Sequence, residues 1–171
     1  MTTKEEFERR IAEEIDKGVW AEMAKRPGIS FFTQLDDVRN RIAYEKAEAG
    51  MFEEALTAAM MTTRGRGCTP RLRDLLGYIL ECIRVTVETK GMDFIRVASL
   101  CEEALEVTKS VRCDGQCRID AIEAVSIGTE KVLYASTKAR LQKAREGELQ
   151  KPDFKKPATG QAPKLELCCR R

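Results

Sequence analysis

At 171 residues the chain suits one domain with a short appendage. Its 30 basic and 28 acidic side chains leave a net charge of only +2, so it lacks the broad basic excess of a protein that coats nucleic acid. It contains no histidine, which removes Ser-His and Cys-His nucleophile pairs, the usual general base near neutral pH and every His-containing metal site.

The spacing predicts a first helix over residues 3–25. Thr3 and Glu6 have the separation of a capping box, and Phe7, Ile11, Ile15, Val19 and Met23 recur every fourth residue on one face. Pro27-Gly28 ends it, and Phe31 and Phe32 are expected in a short connector. A second helix is predicted over 34–49, with Thr33 and Asp36 at its start and Leu35, Val38, Ile42, Ala43 and Ala47 as its stripe. Gly50 stops it, and a third helix follows over 51–62 with Phe52, Ala55, Leu56 and Ala59 inward. Two helices joined by one glycine make a tight antiparallel hairpin.

Residues 63–69 read as a loop. Thr69-Pro70 then starts a fourth helix over 70–89, carrying Leu72, Leu75, Leu76, Ile79, Cys82, Ile83 and Val87. Lys90-Gly91 closes it. A fifth helix over 93–111 is expected to bury Phe94, Val97, Leu100, Cys101, Ala104 and Leu105, completing a second hairpin. A long sixth helix over 116–146 is expected to pack through Ile119, Ile122, Val125, Val132 and Leu133, with Gly128 a point of weakness or bending. The whole is an all-α fold of about six helices, antiparallel hairpins forming a small bundle or solenoid. Residues 1–146 make the domain: an N-terminal helix within 1–26, two hairpins over 34–111 and the long helix over 116–146. Residues 147–171 read as a flexible basic tail.

The segment Arg41-Ile42-Ala43-Tyr44-Glu45-Lys46-Ala47-Glu48-Ala49-Gly50-Met51-Phe52-Glu53-Glu54-Ala55-Leu56-Thr57-Ala58-Ala59 resembles a tetratricopeptide repeat. Small residues at Ala43 and Ala55 let two helices approach, Gly50 makes the turn and Phe52 wedges beneath it. The good copy lies around 34–62. A degenerate one lies around 70–111, with Gly91 at the turn and Cys101-Glu102-Glu103-Ala104-Leu105 beyond it. There Arg96 stands where a small residue is expected, and the turns are spaced more widely than the family's repeat of about 34 residues. The resemblance implies a non-catalytic adaptor, chaperone or assembly factor that receives a partner's peptide or helix in a groove. Arg39, Tyr44 and Lys46, the polar and amphipathic positions on the first helix of the good copy, are the candidate partner-binding residues. Self-association through an exposed apolar end is a further expectation.

The alternative is nucleic-acid binding through Arg64, Arg66, Arg71 and Arg73, whose forked guanidinium groups flank two loop glycines and suit phosphate. The seven cysteines are Cys68, Cys82, Cys101, Cys113, Cys117, Cys168 and Cys169. An odd number of them, several in apolar stripes, fits reduced thiols, and the N-terminus lacks a secretory stretch, so a cytoplasmic location is expected. Cys113 and Cys117 with Cys168 and Cys169 make a poor zinc set, and Cys168-Cys169 beside Arg170-Arg171 has the composition of an acylation site. The adjacent pairs Glu13-Glu14, Glu53-Glu54 and Glu102-Glu103 point about 100° apart on a helix and are not acid/base dyads. No enzyme activity, metal or cofactor is expected.

Overall fold

In the computed structural model, residues 3–63, 71–111 and 115–149 are described. They form α1 (Lys4–Lys25), α2 (Phe31–Glu48), α3 (Phe52–Thr63), α4 (Arg71–Thr89), α5 (Phe94–Lys109) and α6 (Gln116–Leu149). There is no strand among the described residues. Arg64, Arg66, Cys68, the Thr69-Pro70 start signal, Cys113 and the tail with Cys168 and Cys169 lie outside them.

α1 begins as its sequence dictates. Thr3 Oγ1 accepts a hydrogen bond from Glu6 N at 3.3 Å, and Ile11, Ile15 and Val19 are buried, with Phe7 and Met23 at the margins. α2 starts a turn earlier than its spacing suggested. Gln34 is the reason: its side chain is buried and donates to the carbonyls of Arg26 at 2.8 Å and Ile29 at 2.9 Å, fastening the α1–α2 connection. Phe31 and Phe32 therefore sit in the first turn of α2, exposed and edge to face at 5.7 Å, rather than in a connector.

The α2–α3 hairpin closes through Gly50, whose φ of +76° a side-chain-bearing residue adopts only with strain. Behind it Ala43, Ala47, Phe52, Ala55, Leu56, Ala58 and Ala59 are all buried. Alanines on both helices bring the backbones close enough for Phe52 to fill the space under the turn. An ion-pair network ties α1 onto this hairpin: the buried carboxylate of Glu54 meets Arg10 Nη2 at 2.9 Å and Lys46 Nζ at 2.9 Å, and Lys46 also meets Glu14 at 3.0 Å.

The second expected hairpin takes another form. Gly91, at φ +74°, turns the chain between α4 and α5, yet these helices touch each other little, and α4 packs chiefly along α6. Leu72, Leu75, Leu76, Ile79, Leu80, Ile83 and Val87 give α4 a wide apolar face, more than α5 alone can cover. Gly128 permits the pairing with α6. A Cβ there would lie 2.5 Å from Leu80 Cδ1, so glycine at this position is a point of close approach. Gly128→Ala is expected to destabilise the fold by about 1–3 kcal/mol, because Leu80 must leave its position in a packed core; a urea midpoint equal to wild type would remove this account. Arg96, anomalous for a repeat, serves α5 differently: its Nε and Nη2 hold both carboxylate oxygens of Glu53 on α3 at 2.7 and 2.9 Å.

α6 reverses part of its expected face. Val125 and Val132 are buried, but so are the small residues Ala121, Thr129, Ala135 and Ser136, while Ile119, Ile122 and Leu133 are exposed. Phe94 and Leu105 of α5, expected inward, are likewise partly exposed. α6 continues to Leu149, so residues 147–149, assigned to the tail from sequence, are helical. At 1.5 Å per residue α6 is roughly 50 Å long against roughly 28 Å for α4, and its residues 140–147 are exposed.

Candidate partner-binding hollow

Arg39, Tyr44 and Lys46 do not line one groove. Lys46 is directed inward to Glu14 and Glu54; burial works against its charge, but the hydrogen bonds to those two carboxylates outweigh it and raise its pKa. Arg39 is half-buried and pairs with Asp36 at 3.5 Å. Tyr44 lies roughly 140° around α2 from Arg39 and meets Tyr78 of α4 edge to face, ring centres 5.1 Å apart. Burial and the nearby Asp74 carboxylate raise the Tyr44 pKa.

Of the arginine set, Arg71 spans to Asp37 Oδ1 at 3.0 Å, an oxygen pair that also faces Arg26. Arg73 is exposed about 200° further around α4 and borders the α4–α6 cleft. The two described arginines thus point to different sides of the molecule.

The structure instead brings together a set that sequence order scatters. An open hollow of about 550 Å³ is lined by Lys90, Gly91, Met92, Asp93, Phe94 and Ile95 of the α4–α5 turn and by Arg140 and Lys143 near the end of α6. Each part has a local cause. Gly91 allows the tight exit from α4, and a Cβ there would sit 3.5 Å from Lys143 Nζ, so this lysine lies directly over the turn. Asp93 starts α5 by accepting from Ile95 N at 3.1 Å, which turns Ile95 outward, 77% exposed. Arg140 stacks its guanidinium 4.8 Å from the centre of the Phe94 ring, fixing α6 over α5. None of Lys90, Arg140 and Lys143 forms an ion pair with another described residue.

Lys90 also borders a second hollow, of about 540 Å³, between the α2–α3 turn and α4, lined by Glu48, Gly50, Tyr78, Cys82 and Val85 among others. There the Tyr78 hydroxyl donates to Glu48 Oε1 at 3.0 Å, and this bond to a carboxylate pushes its pKa up to about 12. Tyr78 is therefore a neutral donor at physiological pH.

No protein-family model, no curated protein and no solved structure matches the chain.

What can such a surface do? Three cations, none of them in an ion pair, stand against the one carboxylate of Asp93 in this lining, so the hollow keeps a positive excess that attracts an anionic group, and its exposed apolar side chains give the neighbours of that group somewhere dry to rest. Among the described residues there is no cluster of three or more metal-ligating side chains. Cys82 and Cys101 are free thiols, and burial pushes the Cys101 pKa up, the reverse of what a nucleophilic cysteine needs. No described helix is long and apolar enough to cross a membrane. Sequence reading missed the hollow because Lys90 and Arg140 lie fifty residues apart; the one signal at hand was a Phe94-Ile95 pair directly after a helix cap.

Proposed function

We infer that the protein is a non-catalytic interaction module that receives an acidic and apolar segment of a partner protein in the hollow between the α4–α5 turn and α6. The observation that carries this reading is the company of Lys90, Arg140 and Lys143, unpaired, with exposed Phe94 and Ile95. A partner carboxylate would meet cations already gathered, and a neighbouring aliphatic or aromatic side chain would cover Ile95. The tetratricopeptide-like hairpin α2–α3 is then scaffold, holding α4 so that its turn faces α6. Adaptor, chaperone and assembly-factor roles all fit this reading, in a reducing cytoplasm where the described cysteines stay as thiols.

Native mass spectrometry of the tagged protein captured from its own cells is the test, with a Lys90→Glu, Arg140→Glu, Lys143→Glu triple variant beside it. Wild type is expected to carry added protein mass, and the triple variant to lose it by about tenfold or more, since like charges then face the partner. Unchanged circular dichroism would show that the variant still folds. Retention of the same partner by the triple variant would overturn the site. Nuclease-sensitive mass that is lost with Arg64→Ala and Arg66→Ala would replace this reading with nucleic-acid binding.

A further inference from the structure

The outward side of α6 carries a pattern separate from the hollow. Ile127, Tyr134 and Leu141 recur every seventh residue and are 47%, 72% and 57% exposed. At about 100° per residue they fall within a sector of roughly 40°, on the side away from Val125, Val132 and Ser136, which meet the core. Lys143 is roughly half a turn away from them. Between and beyond these apolar residues stand Glu123, Glu130, Lys138 and Arg145, acidic toward the start of α6 and basic toward its end. None of the four forms an ion pair with another described residue, whereas Arg10, Arg26, Lys46, Arg71, Arg84 and Arg96 are all paired.

We propose that this face pairs antiparallel with the same face of a second copy of the chain, around a two-fold axis at Tyr134. The order of residues supports that partner specifically. Reversing one helix about Tyr134 sets Ile127 against Leu141 of the second copy, Glu130 against its Lys138 and Glu123 against its Arg145. Each of the three apolar residues of the stripe meets an apolar residue, and Glu123, Glu130, Lys138 and Arg145 each meet an opposite charge, twice over by symmetry. A parallel pair would set Glu130 against Glu130 and Lys138 against Lys138. Ile127 and Glu123 also line the cleft between α6 and α4, so the contact runs along α6 beside the rim of α4 and leaves the hollow at Lys90 open.

Light scattering and sedimentation of the full chain under reducing conditions test this, at about 1–200 µM because a single helix pair lies at the small end of stable interfaces. The expected result is a concentration-dependent rise toward twice the 19.3 kDa chain mass. Glu130→Lys and Lys138→Glu are each expected to weaken the dimer by about tenfold or more, and the double variant to restore it, since the exchanged charges meet again across the axis. Both positions are exposed, so the variants keep the monomer fold, checked by circular dichroism. A monomer throughout the range, single variants that dimerise like wild type, or a double variant as weak as the singles would each overturn the proposal.

Discussion

Phe52→Ala is expected to lower the free energy of unfolding by about 3–5 kcal/mol, the cost of emptying a large aromatic site in a closed core. Phe52 is the largest of the fully buried side chains, seated at the start of α3 directly after the Gly50 turn. Its neighbours on the paired faces are largely alanines, which have no side-chain length to swing into the space, so the cavity persists. Urea titration followed by circular dichroism reads the change. A loss below about 1 kcal/mol would mean that the hairpin relaxes around the gap, and that the wedge is not what sets its geometry.

Glu54→Ala is expected to cost about 3 kcal/mol, the low end for breaking a buried pair, because Lys46 keeps Glu14. The neighbouring substitution supplies the comparison. Glu53 lies one residue earlier and has a short two-pronged pair with Arg96, but the partners are more open to solvent, and Glu53→Ala is expected to cost under about 1 kcal/mol. The contrast tests burial rather than charge count, since both carboxylates have arginine partners on another helix. Equal losses for the two variants would show that the network joining α1 to the hairpin does not depend on its burial.

Regular spacing made some of this architecture readable in advance. In α1 the middle three of the residues that recur every fourth position, Ile11, Ile15 and Val19, are the buried ones, with Phe7 and Met23 at the margins, because one bulky stripe suffices to cover one side of the hairpin. α6 defeats the same reasoning. It approaches α4 closely at Gly128, so the contact face takes Ala121, Thr129, Ala135 and Ser136, and bulky Ile119, Ile122 and Leu133 are displaced outward. A rule that puts the largest apolar residues inside then selects the wrong side. The start of α2 was hidden for another reason: it hangs on Gln34, a polar side chain capturing two carbonyls of the preceding turn. The candidate site follows the same logic. Lys46 reads as a surface cation in sequence because Glu14 and Glu54 belong to other helices, and only folding brings them within 3.0 Å.

The solvent-facing side of α1 has a spectroscopic consequence. Trp20, the one tryptophan of the chain, stands 70% exposed on α1, on the side away from Ile11, Ile15 and Val19. Its indole is already in water in the native state, so its emission colour scarcely changes when the core melts, and fluorescence is a poor witness to unfolding here. For the same reason it is a sensitive one for anything that settles on α1, which would move a solvated indole into a drier setting without disturbing the fold beneath.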